Sequence, residues 1–456
     1  MNIRIVSIAL SLAVLGSLPL AAQLPKASPQ SAGFSAPRLE ALQRTMKTFV
    51  EEGRQAGIVW LLARDGKIVD FQAIGFRDLE KKLPMEKDTI CRIYSMSKIV
   101  TSVATLILLE DGKILLDEPV SNHLPELKAL KVMTGGTASE PKLEPLQRPV
   151  TIKHLLTHTS GLIYDFDGQS ELHQLYQQAK LWDSASLKEF AARVARLPLK
   201  FQPGDDWQYG INSDVLGCLV ERVSGKSFEA FCQERIFTPL RMVDTGFDLP
   251  PEKLGRLAKT YKLDAQGKLV AAPPILGVWP EQGRGIASGG AGLFSTAGDY
   301  ARFAEMLLGG GALDERRMKD FGPKPVRILS RKTVEFMTAN HLTALGGAHR
   351  FNPAMGFGLG VEMRVDHGKA SYLGSVGQFG WYGAATTYCQ IDPKERIVAV
   401  ALSQHFPYNQ HKLFEKFANG YYQALDDVCS GPVAAERAGG QTETPAVNAA
   451  ARAAKP

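Results

Sequence analysis

Four residues, Ser95-Met96-Ser97-Lys98, combine a nucleophile and an amine at a spacing that could do chemistry. The run that follows, 99–109, carries no charge, proline or glycine, which predicts a helix buried on most sides. Residues i and i+3 share a helical face, so Ser95 and Lys98 would project together from the first turn. The serine hydroxyl would then lie one turn from an amine able to take its proton. Its own N–H, one of the unpaired donors of a helix start, could face a developing oxyanion. Ser-x-x-Lys also arises by chance, and a serine here could simply cap the helix. The lysine argues for chemistry, because it faces the positive end of the helix dipole ahead of an apolar run. Burial in such a place disfavours an ammonium and makes a lysine a usable base.

A nucleophilic serine needs a base system. Pro203-Gly204-Asp205-Asp206-Trp207-Gln208-Tyr209 offers a phenol in a loop just before a helix. A phenol, with a reference pKa of about 10, is a poor base unless a cation stabilises the phenolate, and Lys98 could supply one. Taken alone, the stretch reads more simply as a packed loop tyrosine. His154 and His158 stand four apart in a helical pattern, a spacing compatible with metal. No acidic residue completes a His-Glu-x-x-His motif, so hydrogen bonding at a helix end is the expectation. No Gly-x-Ser-x-Gly elbow, phosphate loop or dinucleotide fingerprint occurs.

These residues need a scaffold, and the 456-residue chain, 45% hydrophobic and 22% charged, can bury a large core. A net charge of +6 without a dense basic run fits solvated lysines rather than nucleic-acid binding. In residues 1–22, Arg4 precedes an apolar stretch that ends at Ala21-Ala22, the layout of a cleaved secretory signal. The stretch is short for a membrane span and is broken by Gly16 and Pro19. The expectation is an exported protein, periplasmic or secreted, without stable membrane insertion. Five cysteines (91, 218, 232, 389 and 429) match no disulfide framework or zinc site. Cys91, Cys218 and Cys389 lie in apolar settings that predict buried thiols, and one bridge stays open.

Residues 23–35 read as a Pro/Ser/Ala linker, 36–53 as a helix, and 58–62 with 68–71 as strands joined by Arg64-Asp65-Gly66-Lys67. The stretch 135–148 reads as a surface insertion. Helical patterns follow at 185–197, 212–224, 226–235 and, after a glycine-rich run, 296–308. From 355 the period changes to strands at 356–363, 370–373, 383–391 and 397–403, then a helix at 409–425 and a disordered tail at 431–456. The pattern predicts an α+β fold. Both chain ends (36–94 and 310–425) build one mixed, mainly antiparallel sheet flanked by helices, and a mostly helical part (95–309) is inserted. The serine helix would lie at the seam, where clefts form.

Three ordered stretches carry a resemblance. Ser95-Met96-Ser97-Lys98, Leu155-Leu156-Thr157-His158-Thr159-Ser160-Gly161-Leu162, and Pro203-Gly204 through Tyr209 ahead of Asp214-Val215-Leu216-Gly217 resemble the serine β-lactamase-related superfamily, and within it the class C-like esterases. The likeness spans about residues 30–425. It implies a β-lactamase/transpeptidase-like fold, Ser95 as nucleophile, Lys98 and Tyr209 as base system, and no metal or organic cofactor. The family's Lys- or His-Thr-Gly motif has its counterpart in Gly377-Gln378-Phe379-Gly380-Trp381-Tyr382-Gly383-Ala384, with Trp381 in the cation's place. The Ala384 N–H would be the second oxyanion donor beside that of Ser95. The asparagine usual two residues after the tyrosine is Ile211, although Asn212 follows.

Both departures remove partners for the carboxylate and amide of a β-lactam or a D-Ala-D-Ala terminus. The expected substrate-binding residues, Trp381, Tyr382, Gly383, Ile211 and Tyr164, make an apolar, uncharged pocket. Such a site disfavours those substrates and loses little with a neutral ester. The reading is an exported serine hydrolase acting through an acyl-enzyme, a carboxylesterase on small neutral esters, with a small-molecule ester or amide as its partner. The alternatives are a β-lactamase or a D-Ala-D-Ala carboxypeptidase/D-aminopeptidase, and a non-catalytic penicillin-binding-like sensor.

Overall fold

In a computed structural model, which describes residues 24–166, 168–275, 285–314, 325–349 and 351–426, the apolar run Gly57–Arg64 forms β1 at the middle of an eight-stranded sheet. β2 (Lys67–Asp78) follows through a tight turn in which Asp65 (φ 52°) and Gly66 (φ 73°) are both left-handed, as a two-residue hairpin requires. β3 (Leu83–Pro84) is the edge. The remaining strands come from the C-terminal part: β4 (Met355–Phe357), β5 (Glu362–Arg364), β6 (Phe379–Gly383), β7 (Thr387–Asp392) and β8 (Ile397–Leu402). The order is β4-β5-β6-β7-β8-β1-β2-β3, and every pairing is antiparallel. The chain ends meet where β1 pairs with β8, Val59 opposite Leu402 and Arg64 opposite Ile397.

Five helices matter to the site: α1 (Ala36–Glu51), α2 (Ser97–Glu110), α3 (Asn212–Ser224), α4 (Ala297–Leu308) and α5 (Leu413–Gln423). Alternate β1 side chains point to opposite faces. Ile58, Trp60 and Leu62 pack with Leu42 and Phe49 of α1 and Phe417 and Tyr421 of α5. Val59, Leu61 and Ala63 belong to the larger core on the other face, with α2, α3 and α4. Burial on both faces is why this strand reads as an unbroken apolar run. Among the described residues no helix is long and apolar enough to cross a membrane. Cys91, Cys218, Cys232 and Cys389 are buried free thiols.

Several boundaries differ from the sequence reading. Residues 24–35 are not a loose linker. Leu24 and Phe34 are buried and Ala27 N–H donates to Ile68 O at 2.9 Å, so two apolar anchors outweigh the Pro/Ser composition. The expected strand at 356–363 is a hairpin, β4 and β5, reversed at Gly360 (φ 82°). No strand forms at 370–373, because side chains take its backbone groups: Arg364 donates to Tyr372 O at 2.9 Å, and Leu373 N–H donates to Asn419 Oδ1 at 2.8 Å. The expected strand at 383–391 breaks at 384–386, where Thr386 has φ 61°. The stretch read as an insertion is a hairpin of Lys131–Gly136 and Pro141–Pro145, tied down by Met133 N–H on Leu199 O at 2.9 Å. α4, counted with the helical part, packs on β1, β7 and β8. The signal-like stretch 1–22 and the tail 431–456 lie outside the described residues.

Candidate active site

Ser95 stands in a short 3-10 turn, Tyr94–Met96, that leads directly into α2. Lys98, in the first turn of α2, is 1% exposed. Its Nζ donates to Gly290 O at 2.7 Å, Tyr164 Oη at 2.9 Å and Ser95 Oγ at 3.3 Å. Three acceptors match the three N–H groups of an ammonium. The Gly290 carbonyl is held in place by Asp214 on α3, whose Oδ1 accepts from Gly290 N–H at 3.0 Å and from Ser288 Oγ at 2.5 Å. A Cβ on Gly290 would lie 2.5 Å from Asp214 Oδ2 and 2.9 Å from Tyr164 Oη, which accounts for glycine here. Burial raises the Asp214 carboxyl above its usual range, against the pull of the Lys98 cation.

Tyr209 reaches the same hydroxyl from the loop before α3. Its Oη donates to Ser95 Oγ at 2.7 Å, and Lys98 Nζ lies 4.6 Å from its ring centroid. Trp381 Nε1 donates to Tyr209 Oη at 3.3 Å. The phenol therefore sits between a nucleophile, a cation and an indole. Trp381 is more than apolar wall, since it contributes a hydrogen bond to the tyrosine oxygen.

The end of β6 presses on the backbone ahead of Ser95. A Cβ on Gly383 would meet Ile93 O at 2.3 Å, and Thr387 Oγ1 donates to that same carbonyl at 3.1 Å. Ala384, the next residue, lines one cavity with Ser95. Among the described residues neither of their N–H groups is taken by a backbone carbonyl. The cavity holds about 530 Å³, and its lining is mainly aromatic. A buried pair, His349 Nε2 and Glu362 Oε2 at 3.3 Å, lines it too, and Lys412 with Glu415 at 3.6 Å forms an ion pair among the lining residues.

Ser95, Tyr209, Trp381, Tyr382, Gly383, Ala384 and Tyr164 all line this cavity, with Lys98 bonded beneath them. Ile211 does not: it is 1% exposed and packs in the core at the start of α3. One residue earlier Gly210 runs so close to the 162–163 backbone that a Cβ would meet Leu162 O at 2.2 Å, so this part of the loop is packed against the core rather than along the cavity. Asn212 faces inward as well, its amide 2.9 Å from His158 Nδ1. His154 caps its helix reciprocally with Thr151, the helix-end role expected of it. Among the described residues no cluster of His, Cys, Asp or Glu could hold a metal ion. Sequence reading missed His349, Phe351, Tyr372, Tyr408 and Phe414 of the lining. The first four lie outside helices and strands, where no periodicity marks a facing side chain.

The Beta-lactamase family profile matches residues 42–419, and the chain belongs to that family. Its fold is the β-lactamase/transpeptidase-like arrangement of a large antiparallel sheet with helices. The chain is 32% identical over 381 residues to Esterase EstB of Burkholderia gladioli, covering 79% of this chain and 88% of EstB. It is 32% identical over 359 residues to Lovastatin esterase of Penicillium rubens, covering 76% of this chain and 86% of the relative. Among solved structures, EstCE1, a hydrolase with promiscuous acyltransferase activity, superimposes with a TM-score of 0.71 at 25% identity over 85% of this chain and 99% of its own.

Proposed function

We propose that this protein is an exported serine carboxylesterase that works through an acyl-enzyme on small neutral esters. The observation that carries the reading is Ser95 Oγ, 2.7 Å from Tyr209 Oη and 3.3 Å from Lys98 Nζ, at the wall of an aromatic cavity. The Tyr209/Lys98 pair takes the hydroxyl proton as Ser95 Oγ bonds to the ester carbonyl carbon. The pair starts with Lys98 as the ammonium and Tyr209 as the phenolate that this cation stabilises, and the negative charge is lost as the phenol forms. The N–H groups of Ser95 and Ala384 hold the oxyanion, and one such donor is worth about 10²–10³ in rate. The carbonyl–alkoxide bond then breaks, and Tyr209 returns the proton to the leaving alcohol. Water, deprotonated by the same pair, attacks the acyl-Ser95 carbonyl; the carbonyl–Oγ bond then breaks, the pair returns the proton to Ser95 Oγ, and the acid leaves.

Trp381 in place of a cation supports esters over β-lactams and D-Ala-D-Ala termini, because that position offers their carboxylate no charge and Lys412 of the lining is paired with Glu415. Assaying p-nitrophenyl butyrate beside a chromogenic cephalosporin tests this: turnover of the ester is expected, and faster cleavage of the cephalosporin sinks the reading. Export is read from the layout of residues 1–22, and an N-terminus at Gln23 in the mature protein is the expected result of sequencing it.

A second reading, acyl transfer to an alcohol, is favoured by the cavity's size, since about 530 Å³ leaves room for an acceptor beside an acyl group. It is also favoured by the acyltransferase activity named for EstCE1. Butyl butyrate formed when 1-butanol is added to the ester assay supports it, and hydrolysis alone excludes it.

A further inference from the structure

Tyr209 is flanked by Gln208, Gly210 and Asn212, and all three bond to one residue, His158. Gln208 N–H donates to His158 O at 2.9 Å. Gly210 N–H lies 3.3 Å from His158 Nδ1, and the Asn212 side-chain amide 2.9 Å from the same atom. The imidazole also stacks on the Tyr209 ring, centroids 5.1 Å apart and planes 28° from parallel. His158 is 1% exposed and is not among the residues that line the cavity.

Two donors converging on Nδ1 make that nitrogen an acceptor and leave the ring proton on Nε2. Among the described residues Nε2 has no hydrogen-bond partner, and the imidazole lies among rings, its centroid 5.4 Å from that of Phe357, edge-on, and 6.1 Å from that of Trp207. Burial, helped by the nearby Lys98 charge, holds the imidazole well below its usual range, so the ring is neutral and Nδ1 keeps its acceptor role. The backbone at His158 is left-handed, φ 57°, a conformation unusual for a residue with a side chain. It sits just past the short helix Ile152–Leu156 and offers carbonyl and ring together to the tyrosine loop.

We infer that His158 is a positioning residue: it grips the chain on both sides of Tyr209 and stacks on its ring, and so holds the phenol oxygen on Ser95. The inference rests on the proposal that Tyr209 acts in proton transfer. The tyrosine meets the nucleophile through a single 2.7 Å contact, so its alignment depends on what fixes the loop. Misplacement of a reacting group by about 1 Å can cost about 10² in rate.

The test is a double-mutant cycle on p-nitrophenyl butyrate hydrolysis with His158→Phe and Tyr209→Phe. His158→Phe keeps a flat ring but removes the Nδ1 acceptor. It is expected to lower kcat by about 30-fold or more with KM within about twofold, as for a displaced proton-transfer group. In the Tyr209→Phe background the same substitution is expected to cost under about threefold, because the group it positions is already gone. His158→Asn tolerates the left-handed backbone and carries an acceptor near the Nδ1 position, so kcat should return to within about fivefold of the parent. If His158→Phe does not fold, His158→Ala goes through the same cycle. Equal losses in both backgrounds, a loss confined to KM, or no recovery in soluble His158→Asn each overturn the inference. A Tyr209→Phe variant with parental kcat instead overturns the role of Tyr209 in proton transfer on which the inference rests, and the cycle tells the two failures apart.

Discussion

Ser95 and Lys98 enter the cavity from one turn of chain, whereas Tyr209 lies 114 residues from Ser95 and Trp381 lies 172 residues from Tyr209. Lys98 rides on α2, twelve of whose fourteen residues are buried, and Ser95 stands in the turn that leads straight into it, so their geometry is fixed by a helix that cannot shift without opening the core. The tyrosine has no such rail. It sits in a loop whose position depends on a few hydrogen bonds and ring contacts to His158 and Trp381. One site thus joins a stiff half to a half held by contacts. Substitutions in the stiff half should alter only the chemistry, while the loop half should feel changes in residues that touch no reacting atom.

The largest effect belongs to the stiff half. Ser95→Ala should abolish covalent labelling by a fluorophosphonate and lower ester turnover by about 10⁶-fold, as loss of a serine nucleophile does elsewhere. Measurable labelling of that variant would reject the acyl-enzyme. Tyr209→Phe should lower kcat by about 10²–10⁴-fold, the usual worth of general acid–base help, with thermal stability unchanged. A near-parental rate would show that Lys98 serves alone, and the contrast between the halves would vanish. Trp381→Phe removes the indole donor to Tyr209 Oη, a bond worth about 0.5–1.5 kcal/mol, so a loss of about two- to tenfold in kcat is expected. A gain in rate would mean that the bond restrains the tyrosine rather than aiming it. Phe417→Ala, in the core between α1 and α5, should cost about 3–5 kcal/mol in denaturant unfolding. Its kcat should change less than in the site variants, because Phe417 does not line the cavity, although Phe414 and Tyr382 of the same core do.

The same contrast decides what could be read from sequence. Ser95 and Lys98 were legible because helical spacing alone brings i and i+3 together. The hairpin at Asp65-Gly66 was legible because those residues suit positive φ, and the helix after Thr296 because its cap is local. The partnership of Tyr209 and Trp381 with them was not a local property, and only likeness to a family pointed to it. Ile211 shows the limit of carrying a position over: a motif's spacing held, but the side chain is buried in the core beside a glycine packed tightly on the 162–163 backbone. The 370–373 stretch has strand-like residues, yet Arg364 and Asn419, from elsewhere in the chain, claim its backbone. Tyr164 was expected as pocket lining, and its bond to Lys98 is a contact no pattern around residue 164 announces.

The pairing of β1 with β8 has a consequence for the order of events during synthesis. Once residues 57–110 have left the ribosome, the segment bearing Ser95 is outside, but Val59 must wait for Leu402 and Ile93 must wait for Gly383. Pairings between such remote segments form slowly. The strand that flanks the hydroxyl and the strand that pairs with β1 are thus translated well after Ser95, so a nascent chain displays its nucleophile long before it owns a pocket. Whatever compartment the chain reaches while still unclosed, the groove around Ser95 is assembled only after the last strand arrives.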